Sequence, residues 1–233
     1  MSAHIADGDI DELFRHVGQG NAAAVTEMLR YRPELSRARD ASTLSVLPFA
    51  RYMRQDAILD VLIETGPALD IFDAASIDRV DVVRDLLARD RALATAYASD
   101  GFTALHFASY FGSTGAMSAL LQGGANIEAV TRNFLANMPL HAAAAGGRIE
   151  ACRLLLRSGA DPNAKQHAGF TPLMTAAFAN NRTLAELLIA RNANVDLRND
   201  DGKTAADVAA GVGNMELAAR LRLGERIVDR EKA

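Results

Sequence analysis

Apolar residues return along this chain at a spacing too long for one helix and too regular for an ordinary mixed fold. A pair of adjacent apolar residues appears as Met28-Leu29, Leu62-Ile63, Leu86-Leu87, Leu120-Leu121, Leu155-Leu156 and Leu188-Ile189, and Leu221 closes the series. From first member to first member the steps are 34, 24, 34, 35, 33 and 33 residues. A period near 33 marks a solenoid, in which no unit buries its apolar face alone and each stacks on its neighbours.

Each unit carries a second set of fixed positions. An apolar residue opens the first helix: Leu13, Leu47, Ile71, Leu105, Leu140, Leu173 and, last, Ala206. Ser45, Thr103, Thr171 and Thr204 stand just before it, where a hydroxyl can accept a backbone N–H. Pro172 follows Thr171 at the first helical position, where its missing N–H costs nothing. Three residues past the apolar position, six units carry alanine: Ala50, Ala74, Ala108, Ala143, Ala176 and Ala209. Such small side chains allow close helix approach, and His16 replaces them in the first unit. Seven residues past it stand Gly20, Arg54, Asp78, Gly112, Gly147, Asn180 and Gly213. Gly and Asn tolerate the left-handed conformation that ends a helix. The pattern predicts helix, short turn, helix and projecting loop, repeated about seven times.

These units resemble the ankyrin repeat. The family's opening signature stands as TALH at 103–106, MPLH at 138–141 and TPLM at 171–174. Its turn stands as GAN at 124–126, GAD at 159–161 and NAN at 192–194. The resemblance is strong in units four to seven and diverged in units one to three. It implies an all-α solenoid over residues 9–224, with a short tail at 1–8 and a charged tail at 225–233. Two departures stand out. Only four residues separate Gly66 from Ile71, so the finger between units two and three is missing, and the loop from Gly124 to Leu140 is two residues longer than the period predicts.

Composition narrows the function. A net charge of −4, with both signs interspersed, argues against nucleic acid as the main partner. No apolar run suffices to span a bilayer and the N-terminus carries no secretion pattern, which makes a cytoplasmic location the expectation, without a membrane partner. The lone Cys152 forms no internal disulfide and reads as a buried structural thiol. The arginines at 30, 32, 37, 39, 51 and 54 alternate with Glu27, Glu34, Asp40 and Asp56 and read as a solvated mixed-charge face.

Chemistry is sparse. The five histidines show no zinc spacing, so no metal site is expected. No nucleophile motif and no phosphate-cradling loop is present, so no catalytic residue and no cofactor is expected. His106 and His141 occupy the signature histidine position, where the resemblance implies a hydrogen bond to an adjacent loop backbone. His167 lies in a projecting loop and reads as a surface contact.

The resemblance also places binding side chains at the end of the first helix and on the projecting loop, on the concave face. Those positions here hold Tyr52, Met53, Ile77, Phe102, Tyr110, Phe111, Phe134, Phe170 and Phe178. Seven of the thirteen aromatic residues therefore sit where stacking does not require them, and aromatic residues dominate binding hot spots. The expectation is a non-catalytic module that binds another protein, monomeric or weakly dimeric. Self-association through the aromatic face and, further off, a loop-built enzyme pocket are the alternatives.

Overall fold

The computed structural model describes residues 6–222. Seven helix pairs follow one another: α1 (Asp7–Gly18) with α2 (Ala22–Tyr31), α3 (Val46–Tyr52) with α4 (Asp56–Glu64), and α5 (Ile71–Ser76) with α6 (Val80–Arg89). Then come α7 (Ala104–Phe111) with α8 (Thr114–Gln122), α9 (Pro139–Ala145) with α10 (Ile149–Arg157), α11 (Pro172–Phe178) with α12 (Arg182–Ile189), and α13 (Ala205–Gly211) with α14 (Met215–Arg222). Among the described residues the only β pairing is two isolated bridges, Arg39 with Ser45 and Tyr97 with Thr103. The fold is an all-α repeat solenoid. The expected tail at 225–233 lies outside the described residues.

The repeat register holds at every first-helix position. The opening apolar residues, Leu13 to Ala206, and the six alanines are all buried. Gly20, Arg54, Asp78, Gly112, Gly147, Asn180 and Gly213 all take positive φ, between 50° and 84°. Arg54 and Asp78 do so against the steric preference of their side chains. Asp78 has a further role: its carboxylate accepts the Ala116 N–H at 2.7 Å and so caps α8 of the next unit.

The structure fixes the register of the second helices. The buried member of each apolar pair is Leu29, Leu62, Leu87, Leu120, Leu155 and Leu188, with the buried Leu221 closing the series, so from buried residue to buried residue the steps are 33, 25, 33, 35, 33 and 33. In units one and three it is the second member that turns inward, because α2 and α6 are ten residues long and run straight into a 3-10 turn, Pro33–Arg37 or Arg91–Thr95.

That shared detail exposes a larger repeat. Units one and two match units three and four at a constant offset of 58 residues. The 3-10 turns, both bridges, the boundaries of α2 and α6, and those of α4 and α8 all obey it. So do the positive-φ positions Thr43 and Gly101 and the residues Phe14/Phe72, Phe49/Phe107 and Tyr52/Tyr110. Phe14 packs on Phe49 with ring centroids at 5.0 Å, and Phe72 packs on Phe107 at 6.1 Å. The finger missing after Gly66 is thus the junction between two double units.

The helix caps also depart from expectation at one site. Thr171 and Thr204 accept from Met174 and Asp207 N–H, each at 3.3 Å, and Thr103 engages His106 Nδ1. Ser45 makes no capping bond, and its buried hydroxyl has no hydrogen-bond partner among the described residues.

Candidate functional site

A groove of about 390 Å³ opens along the first helices of units two, four and five. Pro48 and Tyr52 come from α3, Phe107, Tyr110 and Phe111 from α7, and Ala142 and Ala145 from α9. Three fingers add Leu44, then Asp100 and Phe102, then Leu135 and Asn137. No second helix contributes.

The missing finger shapes this groove. With nothing projecting between Gly66 and Ile71, the flanking fingers meet directly, Thr43 hydroxyl against Ser99 hydroxyl. Unit three also keeps its inner surface low. Tyr52, Ser76 and Tyr110 hold the same position in units two, three and four, and Ser76 is small and fully buried. The two tyrosines therefore reach across unit three and stack with ring centroids at 6.0 Å. Over the whole array this row reads Gly18, Tyr52, Ser76, Tyr110, Ala145, Phe178, Gly211, alternating small and large.

The longer loop supplies the opposite wall. Arg132 N–H donates to Gly101 carbonyl at 2.9 Å, and Asn133 Nδ2 donates to Asp100 carbonyl at 2.9 Å. Gly101 has φ of +85°, and a Cβ there would lie 2.9 Å from the Arg132 carbonyl carbon, so only glycine permits this approach. Arg132 also stacks over the Tyr97 ring at 3.8 Å. The loop is held so that Leu135 and Asn137 face α7 and α9. Asn137 closes it by exchanging bonds with Thr131 at 2.9 and 3.0 Å.

The two signature histidines brace fingers. His106 Nε2–H donates to Asn137 carbonyl at 3.2 Å, and His141 Nε2 bonds Ala164 and Phe170 carbonyls at 3.1 and 3.3 Å. Burial pushes both pKa values down to about 4, so both rings are neutral at pH 7. Burial likewise pushes the Cys152 thiol up to about 12. Neither the histidines nor the thiol is placed to do acid–base or nucleophilic work.

Arginines edge one end of the groove. Arg51 was expected on a solvated face and instead turns inward. It donates to the Ser76 carbonyl, to Phe111 carbonyl at 3.1 Å and to Ser113 hydroxyl at 3.1 Å, and lies over the Phe111 ring. These carbonyls end α5 and α7, where unpaired acceptors and the helix dipole favour a cation. Burial, then the charge of Arg148, lower its pKa. Arg148 Nε donates to Tyr110 carbonyl at 3.1 Å.

The nine residues expected to bind therefore separate. Tyr52, Phe102, Tyr110 and Phe111 line the groove, whereas Met53, Ile77, Phe134, Phe170 and Phe178 do not. Phe111 is only 6% exposed and forms floor. Phe170 packs on the main apolar cluster, so neither ring is free of the stacking role. Phe134 and Phe178 are 77% and 61% exposed, and Phe134 meets His167 edge-on at 6.3 Å. Phe107 also lines the groove and is not among the nine expected residues, although it stands one helical turn before Tyr110 and Phe111 on the same face.

Sequence comparison now assigns the family. The model for ankyrin repeats (three copies) matches residues 71–166 and 140–230. The chain belongs to the ankyrin repeat family. Among curated proteins, this ankyrin repeat chain is 34% identical over 136 residues to the transient receptor potential cation channel subfamily A member 1 homolog of Caenorhabditis elegans, covering 58% of this chain and 11% of the relative. It is 32% identical over 160 residues to human neurogenic locus notch homolog protein 1, covering 68% and 6%, and 43% identical over 103 residues to human neurogenic locus notch homolog protein 4, covering 44% and 5%. The chain thus spans only about a tenth or less of the length of these relatives. Among the described residues no helix is long and apolar enough to cross a membrane.

Proposed function

We propose that this chain is a non-catalytic protein-binding module whose binding face is the groove along its first helices and fingers. One observation carries the reading: Tyr52 and Tyr110 stack across the lowered unit three, with Tyr52 61% exposed at the mouth of an apolar groove. Exposed aromatic residues beside an apolar groove mark interaction sites on water-facing surfaces. Ankyrin repeats in general bind other proteins, and the groove holds no convergent nucleophile, base and orienting group that would favour an enzyme. The partner seats on a rigid surface, because the fingers are tied to one another by backbone bonds.

The test is capture of partners from native lysate with Tyr52→Ala combined with Tyr110→Ala. Phe111 is left intact because it is floor, and truncating it would disturb the fold. Circular dichroism should be unchanged and capture should fall at least tenfold. Undiminished capture by the folded double variant would remove the groove from consideration. Light scattering of the wild type distinguishes a second copy of the chain as the occupant.

A further inference from the structure

The alternating row along the first helices identifies one position in the groove that its neighbours leave open. Tyr52 and Tyr110 close over Ser76 by stacking on each other. Tyr110 and Phe178 are likewise two units apart, with Ala145 between them, but Tyr110 pairs with Tyr52 and Phe111 and not with Phe178. Ala145 is exposed, lines the groove, and stands over the buried Ala142. The result is an apolar seat over Ala145, in the groove lined also by Tyr110 and by Leu135 of the long loop.

Two polar features border the seat. Asn137, 8% exposed, lines it, and its Oδ1 has no hydrogen-bond partner. That oxygen is buried beneath the groove surface, so Asn137 stiffens the wall of the seat and does not contact an occupant. At the rim stand the exposed Arg148, anchored on the Tyr110 carbonyl, and the exposed Arg54, two residues past Tyr52 in the turn that ends α3. Neither forms an ion pair among the described residues. The Arg148 guanidinium spends only Nε on Tyr110 carbonyl, which leaves its fork free for a carboxylate. Asp100 lies at the finger end of the groove, already accepting the Phe102 N–H at 3.1 Å.

Resting on the protein-binding reading above, we infer that the groove recognises an extended peptide segment in which an aromatic side chain seats over Ala145 and a flanking carboxylate pairs with Arg148 and Arg54. Apolar burial supplies the anchor and the arginine rim supplies direction.

The test uses defined probes on the full chain. Fluorescence anisotropy compares a short labelled peptide holding one tryptophan between two aspartates with two controls, one with lysines for the aspartates and one with alanine for the tryptophan. The acidic tryptophan peptide should bind at least tenfold more tightly than either. Ala145→Phe fills the seat at an exposed position and should abolish that binding. Arg148→Gln with Arg54→Gln should weaken it about tenfold, and Arg148→Lys with Arg54→Lys should restore most of it. Equal or tighter binding of the lysine peptide, binding unaffected by Ala145→Phe, or no binding of any probe overturns the inference. In each case partner capture that still depends on Tyr52 and Tyr110 leaves the broader reading standing, and capture that does not depend on them overturns both.

Discussion

Units one and two are held to their neighbours differently from units three to seven. From Ile71 to Leu221 the buried residues form one continuous apolar cluster. Leu13 to Leu62 form a second, and the half-buried Leu69 packs against both. What joins them is largely polar: Arg39 pairs with Asp70 and Asp73, and Arg51 satisfies carbonyls of units three and four. The difference is instructive because the two double units share a backbone plan at an offset of 58 residues. The same local design can sit inside a continuous core or stand apart from it. What decides is whether a finger and a full-length first helix exist at the junction, and α5 is only six residues long.

Acid should separate the two regions most strongly. His106 and His141 lie in units four and five with folded pKa values near 4, below the roughly 6.5 of the unfolded chain. The unfolded state then binds more protons, so their contribution is full above pH 6.5 and is lost as pH falls toward 4. At about 1.4 kcal/mol per pH unit, each histidine accounts for roughly 3 kcal/mol. Asp73, at the seam, has the opposite sign. Burial, then Asp70, push its pKa up to about 6, so the folded state binds the extra proton and the seam gains stability as pH falls from 6 toward 4, by roughly 3 kcal/mol. We expect denaturant midpoints to drop between pH 7 and pH 4, and to drop further in Asp73→Asn. A flat profile, or an Asp73→Asn profile identical to wild type, would contradict these assignments.

The seam itself is the next target. Arg51→Met keeps the apolar stem over Phe111 and removes the hydrogen bonds to Ser76, Ser113 and Phe111. The Ser76 carbonyl keeps the Ser113 hydroxyl at 3.1 Å, whereas the Phe111 carbonyl loses its side-chain donor, and the change should cost roughly 2 kcal/mol. The loss should also uncouple the regions, because repeat arrays unfold by neighbour interfaces. Cys152, fully buried in unit five with its thiol pushed up to about 12, reports on the later region alone. In denaturant Arg51→Met should lose helix signal before Cys152 reacts with a thiol reagent, whereas in wild type the two should coincide. Coincidence in the variant would mean the seam does not govern cooperativity.

Much of this was legible in sequence, for reasons that differ by position. First-helix residues such as Leu105 and Ala108 are fixed by stacking on both sides, so their spacing survives in every unit. The turn residue seven places on was readable even as Arg54 and Asp78, because the backbone there demands positive φ whatever the side chain. Which member of an adjacent apolar pair turns inward is not readable from the pair itself: it is the second, Leu29 and Leu87, in units one and three, and the first in units two, four, five and six. The 58-residue repeat is hard to read from sequence because its markers, Phe14/Phe72 and Tyr52/Tyr110, are few and the shorter 33-residue period overlies it. Within the groove, Tyr52, Phe102 and Tyr110 were readable as aromatic residues at positions that stacking leaves free. Asn137 and Ala145 were not, because a small residue becomes a seat only through the size of its neighbours.

The smallest expected effect compares one substitution in the two regions. Ala50 and Ala143 hold equivalent positions in units two and five, and both are fully buried. Leucine at either must overpack a close helix approach, at roughly 1–3 kcal/mol. The cost depends on how far the surroundings can yield. Ala143 stands between units four and six inside the continuous cluster, where displacement on either side strains a further interface. Ala50 belongs to the two-unit cluster, and beyond it lies the polar seam, where side chains can give without opening an apolar cavity. Ala143→Leu should therefore destabilise more than Ala50→Leu, by about 1 kcal/mol, in matched urea titrations. Equal losses would show that the seam transmits strain as well as an apolar interface does, and that the division into two clusters has no mechanical consequence.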